Sequence, residues 1–228
     1  MKRFLSVLLV LMLCCGLAAA ETLISVNGTG TVYVSADTAT ITLGISARET
    51  EVLDAQARVN TAIAAIRQAL ENAGVAKEDI NTDYLSIYPI YDYNGEQEQL
   101  TGYSVSSSLA IRTQDLEQVG TLIDLAFAAG ANTLSDISFS ASDTADAEKE
   151  ALTQAVENAR SRAEVLCAAA GVNITGIQSV SDGYSYSYDS GVNNFSRVAK
   201  EEAAEADTVV QAAKLAVTAS VSIVFEAE

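Results

Sequence analysis

Histidine and tryptophan are absent from this chain, and proline occurs once. A chain without histidine lacks the usual general base of serine and cysteine hydrolases and the commonest protein ligand of transition metals. Of three cysteines, two fall in an apolar N-terminal segment and only Cys167 lies beyond it, which excludes an internal disulfide there. Cys167 sits among small apolar residues at helical spacing, so we expect it to be buried rather than a reactive thiol.

The first 20 residues have the pattern of an export signal. Lys2 and Arg3 precede an apolar run over 4–13, and Ala18-Ala-Ala20 supplies small residues before a cleavage site. The run is shorter than the roughly 20 residues of a membrane-spanning helix. We therefore expect a signal peptide over 1–20, cleaved near Ala20, and an extracytoplasmic protein with no membrane span after cleavage. Lipidation of a leader cysteine is the less favoured alternative, because neither follows a small residue.

Acidic residues dominate the charge of the chain. It carries 30 Asp and Glu against 13 Lys and Arg, for a formal net charge of −17, and the leader takes two of the basic residues with it. Nucleic acid and anionic lipid repel such a chain. Nucleic-acid binding is therefore excluded, and partners are expected to be proteins.

Seven segments alternate apolar and polar residues with a period of two, which is typical of strands with one buried face. The clearest alternation has apolar residues at Leu215, Val217, Ala219, Val221, Ile223 and Phe225, with small polar residues between most of them. The other six strands are predicted around residues 24–34, 39–45, 85–91, 105–111, 134–139 and 174–180.

Three segments, 51–73, 115–129 and 146–170, have helical periodicity, and a glycine follows each. This order predicts an α+β fold, with a mainly antiparallel sheet of about seven strands and three amphipathic helices packed on one side. Residues 21–228 are expected to form one domain, with two subdomains as the open alternative and a loop or mobile segment near 181–207. The predicted buried helix faces are Val59, Ile63, Ile66 and Leu70; Leu116, Val119, Ile123 and Phe127; and Leu152, Val156, Ala159, Ala163, Leu166 and Ala170.

Short motifs for cofactors and ions are weak in this sequence. Gly28-Thr-Gly30 lacks a third glycine and continues as a strand, so it indicates a bulge or a close backbone approach rather than a dinucleotide loop. Asp182 and Asp189, with Ser185 and Ser187, match no calcium-loop spacing. No cofactor or metal is predicted. Pairs of carboxylates remain open to acid–base chemistry, but nothing singles out two of them.

Tyrosine is concentrated in two regions that the sequence suggests are loops, 84–103 and 184–188. Each ring joins apolar area to a polar hydroxyl, so clustered tyrosines are typical of contact surfaces. A protein partner or self-association is favoured over sugar. The candidate contact residues are Tyr88, Tyr91, Tyr93, Tyr184, Tyr186 and Tyr188.

Several motifs along the chain are those of a known family: Val26-Asn-Gly-Thr-Gly-Thr-Val32, Ala36-Asp37, Tyr84-Leu-Ser-Ile-Tyr-Pro89-Ile-Tyr91, Gly130-Ala131-Asn132 and the helix over 155–171. In this order they resemble the SIMPL family of exported bacterial proteins, a domain of unknown function. Ala36 is a departure, because the family often has proline there. The resemblance implies a periplasmic or surface α+β protein, in some relatives immunogenic, linked to oxidative stress or assembled into ring-like homo-oligomers. It implies no established active site.

The sequence therefore favours a non-enzymatic, self-assembling protein of the cell envelope, as a homo-oligomer or with an envelope protein partner. One alternative is a binding module that holds a small ligand, ion or peptide beside the tyrosines. Another is a hydrolase that uses carboxylates alone, which needs two acids in one cleft.

Overall fold

The structure of the chain is a computed structural model, which describes residues 22–93, 98–189, 208 and 210–228. For residues 183–189 it describes the backbone and not the side chains. The predicted leader, residues 1–20, therefore lies outside the described residues.

Within the described residues, seven strands and three helices follow one another in the predicted order. The strands are β1 (Thr22–Val34), β2 (Thr38–Glu49), β3 (Ile80–Asp92), β4 (Gln99–Thr113), β5 (Thr133–Ser140), β6 (Ile174–Asp189) and β7 (Leu215–Ala227). The helices are α1 (Val52–Asn72), α2 (Val119–Ala128) and α3 (Ala145–Ala170).

The strands form two sheets. One has the order β3-β4-β2-β5 and the other the order β1-β7-β6. The α+β class, the antiparallel pairing and the numbers of strands and helices are confirmed. The single sheet that we expected is divided in two, because a period of two identifies the buried face of a strand but not its neighbour.

The chain folds into two compact units. One comprises Val32–Glu148 and Ser187–Val217. In it, α1 and α2 cover one face of the four-stranded sheet, so that Ile41, Leu43 and Leu109 are fully buried against residues of the two helices. The predicted face of α1 is largely correct. In α2, Val119 and Ile123 are buried as predicted, but Phe127 is exposed and its place is taken by Leu122 and Ala126.

The other unit comprises residues up to Thr31, Lys149–Tyr186 and Thr218–Glu228. In it, β1 and α3 approach so closely that a Cβ atom at Gly28 would clash with the backbone oxygen of Ala155, and one at Gly30 with that of Ala151. The predicted close backbone approach at these glycines is therefore confirmed.

The close approach of β1 changes which face of α3 is buried. Val156 and Leu166 were predicted to be buried and are exposed, because small side chains line the contact instead. Cys167 is buried, as expected. The buried stripe repeats at every fourth residue: Ala147, Ala151, Ala155, Ala159, Ala163 and Cys167.

The segment predicted as a loop near 181–207 differs in its first part. Ser181–Asp189 continue β6, because Tyr and Ser alternate there with the period of a strand. Residues 190–207 lie outside the described part of the chain. Within the described part, none of the helices is both long and apolar enough to span a membrane.

A carboxylate closes the turn between β1 and β2. Asp37 accepts hydrogen bonds from the Ser142 hydroxyl at 2.6 Å and from the Thr38 hydroxyl at 2.8 Å. Hydrogen bonds from Ser142 and Thr38 hold the pKa of Asp37 below its ordinary value, because they stabilise the ionised form. This turn is thereby tied to the residues that follow β5.

We predict that Gly28→Val destabilises the chain by about 1–3 kcal/mol, since the new side chain must displace the backbone of α3. Urea unfolding measures the change. The control is Ser25→Val, which places the same side chain at an exposed position of the same strand and should leave stability unchanged. Equal effects of the two substitutions would contradict the close packing of β1 on α3.

We predict that Ser142→Ala raises the pKa of Asp37 toward its ordinary value, which an NMR titration of the carboxyl carbon measures. A carboxyl group whose pKa is lower in the folded state stabilises the fold at pH values above its pKa in the unfolded state. This stabilisation is lost as the pH falls through the pKa of the folded state. The variant should therefore be less stable than the parent near neutral pH, and the difference should shrink below about pH 4. A constant difference across that range would contradict this account.

Candidate functional site

The structure places the first group of predicted contact tyrosines on one β-hairpin. Tyr88 and Tyr91 belong to β3, and Tyr93 follows it directly. The strand predicted around 85–91 is confirmed and extends to Asp92, and β4 begins at Gln99, so less of the region 84–103 is loop than we expected. Tyr, Ile and Leu alternate through this strand and favour extended backbone. Tyr91 and Tyr93 lie with ring centroids 6.3 Å apart. The second group, Tyr184, Tyr186 and Tyr188, lies in β6, but its side chains fall outside the described residues.

β3 is an edge strand of its sheet. It pairs with β4 and has no strand on its other side within the part of the chain that the structure describes. The pairing is irregular between Thr82 and Tyr84 and again between Ile90 and Tyr91. Pro89 fits this position, because proline has no N–H and occurs in sheets almost only on edges.

The hairpin of β3 and β4 is longer than its neighbour β2. The pairing of β2 with β4 ends where Glu49 meets Tyr103, whereas β3 and β4 continue to pair as far as Asp92 with Gln99. The tip is therefore a two-stranded ribbon. Two strands alone are only marginally stable in water, so apolar residues on such a ribbon stay exposed unless a partner covers them.

From Leu85 onward, the helix-facing side of β3 is left uncovered by α1, although Ile80 at the start of the strand is buried. Ile87 pairs with Val105 of β4, and the two point to the same side of the sheet. Val105 is fully buried under α1, while Ile87 is 41% exposed and Leu85 is 58% exposed. The helix layer thus ends over β4, and the next strand carries its aliphatic side chains into solvent.

The opposite face of β3 carries a pair of bonded tyrosines. The hydroxyls of Tyr84 and Tyr88 lie 2.8 Å apart, and both rings are about half exposed. Hydrogen bonds from Ser86 and Tyr88 lower the pKa of Tyr84, whereas the bond to Tyr84 raises the pKa of Tyr88. Small serines of β4 oppose these residues at Ser104, Ser106 and Ser108, so the rings stand clear of their neighbours.

Exposed apolar side chains thus occupy both faces of the β3–β4 hairpin, and we call them together the hairpin surface. The sequence predicted Tyr88, Tyr91 and Tyr93 as contact residues, although the alternation of Leu85-Ser-Ile87 beside an edge-type Pro89 was a further usable signal. No charged side chain lies between Asp83 and Asp92. The hairpin surface consists of Tyr84, Leu85, Ile87, Tyr88, Tyr91, Tyr93 and Leu100.

Other chemistry is sparse in the described residues. Among them, no three His, Cys, Asp or Glu side chains lie close enough to hold a metal ion. Asp182 is exposed, and the other members of the ion-loop candidate lie outside the described side chains. The lowered pKa of Asp37 is the opposite of what a general acid needs.

A cavity of about 590 Å³ lies at the C-terminal end of α1, in the unit that contains the four-stranded sheet. It is an open depression lined by both charges, including Arg112, Asp79 and Asp115. Of the contact tyrosines whose side chains are described, Tyr88, Tyr91 and Tyr93, none lines it, so the structure does not bring these three and this concavity together.

Comparison with known proteins gives consistent matches. Residues 24–225 match the sequence model of the SIMPL family, described as "Protein of unknown function (DUF541)". The chain is 31% identical over 164 residues to the "26 kDa periplasmic immunogenic protein" of Brucella melitensis, covering 70% of this chain and 66% of that protein. It is 26% identical over 140 residues to the "Uncharacterized protein YggE" of Escherichia coli K12, covering 61% of this chain and 57% of that protein. The matches thus span less than two thirds of the relatives' own length.

We predict that Tyr84→Phe lowers the pKa of Tyr88 toward the ordinary tyrosine value, because the hydrogen bond that raises it is lost. An ultraviolet titration of tyrosinate, compared with that of the parent, measures the shift. Tyr33→Phe is the control, since Tyr33 is exposed on β1 and removes one phenol without touching the pair. Identical titrations of the remaining tyrosines in both variants would show that the two hydroxyls do not interact.

Proposed function

Because the chain belongs to the SIMPL family, we propose that it is an extracytoplasmic protein that acts through protein contact, assembling with copies of itself, and not through catalysis. The family itself has no described activity. Two observations support this location. Residues 1–20 have the pattern of an export signal, and the Brucella relative is named as a periplasmic protein. A place in the cell envelope and a link to stress tolerance belong to the same proposal.

The hairpin surface is the observation that carries this proposal. Its aliphatic and aromatic side chains stand in solvent on a strand edge that the chain leaves unpaired within the described residues. Fully burying one such side chain contributes about 1.5–3 kcal/mol, so several together can hold an assembly. Clusters of exposed apolar side chains are typical of interaction sites.

Charge favours the same surface. The acidic excess makes copies of the chain repel one another over most of their surface. The stretch Tyr84–Tyr91 has no charged side chain, so repulsion is weakest where the apolar side chains lie. A contact between copies is therefore directed to this strand.

Binding of a small ligand is the second candidate function. The cavity beside α1 supports it, since Arg112 and Asp79 offer opposite charges to a molecule that carries both. Thermal unfolding with and without free amino acids tests this reading, since a ligand that binds the folded state raises the melting temperature. Loss of any shift in Arg112→Gln would assign it to this cavity.

We predict that the purified protein is oligomeric and that Leu85→Ser weakens association at least about tenfold, because each copy loses a leucine that the contact would bury. Sedimentation velocity across a wide concentration range measures both. The matched control is Leu53→Ser, which removes an even more exposed leucine, 73% against 58%, from α1 and outside the hairpin surface. The control should assemble like the parent.

Two results would count against the proposal. A parent protein that stays monomeric at every concentration contradicts self-assembly. Equal weakening by Leu85→Ser and Leu53→Ser contradicts the hairpin surface as the place where copies meet.

A further inference from the structure

We infer that the hairpin surface binds β3 of a second copy, antiparallel and across a two-fold axis at Ser86, so that two four-stranded sheets join into one. This inference rests on the proposed function and specifies its contact. A two-fold contact requires a surface that is complementary to itself, and three properties of β3 meet that requirement.

The first property is the direction of the backbone groups. Pro89 has no N–H group to donate. The backbone hydrogen bonds between β3 and β4 are therefore complete only if the nitrogen and carbonyl of Pro89 face away from β4. The next residue, Ile90, has its carbonyl on the β4 side, because this carbonyl accepts a hydrogen bond from the Thr101 hydroxyl at 3.0 Å. Strand backbones alternate in direction, so Leu85 and Ile87 also present their N–H and C=O groups outward. These are the groups that an added strand would bond.

The second property is the register that these groups permit. With Ser86 opposite its own copy, Leu85 lies opposite Ile87 on both sides of the axis, and each pair exchanges two backbone hydrogen bonds. Pro89 then lies opposite Asp83, where the strand is already irregular. A two-fold axis one residue further along, at Ile87, would place Pro89 opposite Leu85 of the second copy. Each of these two pairs would then form one backbone hydrogen bond instead of two, because proline has no N–H. The register at Ser86 is therefore preferred.

The third property is the complementarity of the side chains. In this register Tyr84 faces Tyr88 of the second copy on one side of the sheet, twice by symmetry, and Leu85 faces Ile87 on the other. Aromatic and branched pairs across antiparallel strands contribute favourably, and the small Ser86 leaves room at the axis. The strand from Tyr84 to Tyr91 carries no lysine or acid of the kind that blocks edge pairing in other proteins.

A cysteine at the axis tests the register. Opposed residues in a non-hydrogen-bonded antiparallel pair have Cα atoms about 4.5 Å apart, within the range of a disulfide. The test uses the full chain with Cys14→Ala and Cys15→Ala, keeping the buried Cys167, with Ser86→Cys added and mild oxidant supplied. Thr82→Cys is the matched control, a small exposed residue of the same strand that the register places far from its own copy.

The expected result is a covalent dimer as the main species for Ser86→Cys, reversed by reductant, and no covalent dimer for Thr82→Cys or the parent. An oligomeric parent whose Ser86→Cys variant cross-links no faster than Thr82→Cys overturns this pairing and leaves the proposed function standing. A monomeric parent overturns both. Retained far-ultraviolet circular dichroism in each variant shows that the fold is intact in the comparison.

Discussion

The extent of α1 over the four-stranded sheet determines which apolar side chains of β3 reach solvent. α1 covers Val105 of β4 but leaves Ile87 of β3 exposed, so burial ends abruptly between these two residues even though β2 still pairs with β4 there. Both residues are β-branched, and they are direct neighbours across the ladder. Their different exposure follows from the extent of the helix layer and not from their own hydrophobicity. The exposure of Leu85 and Ile87 is thus a consequence of the limited reach of α1 across the sheet.

A different constraint shapes the packing of α3. Glycines on β1 let the strand approach the helix backbone, and at that distance only alanine and cysteine fit between them. The larger residues Val156 and Leu166 are therefore turned outward, although hydrophobicity alone favours their burial. Close packing of small residues replaces the apolar area that larger side chains would bury, because dense contact gains dispersion energy from many atoms. This explains why Val156 and Leu166 do not lie on the buried face of the helix.

Local patterns predicted the elements of the fold and some of its site. Apolar residues at every second position predicted the seven strands of the described residues, and apolar residues at helical spacing predicted the three helices, because each pattern marks one buried face. The division into two sheets was not predictable, because strand order depends on pairings between distant segments. For the proposed contact surface, which remains a prediction, the sequence suggested Tyr88, Tyr91 and Tyr93 but not Leu85 and Ile87. Their exposure depends on where α1 ends over the sheet, which no local pattern records.

Composition and geometry together explain why an edge can remain open without indiscriminate pairing. An unprotected edge strand is a hazard, and many proteins place charges on it. This chain instead has Asp83 and Asp92 at the two ends of an uncharged strip and a strong acidic excess elsewhere. A foreign strand with acidic side chains along its own length is repelled by the acidic excess, and a strand shifted by one residue loses backbone bonds opposite Pro89. In the proposed pairing, two uncharged strips of equal length face each other, so the acidic repulsion between copies is weakest where the backbone bonds form.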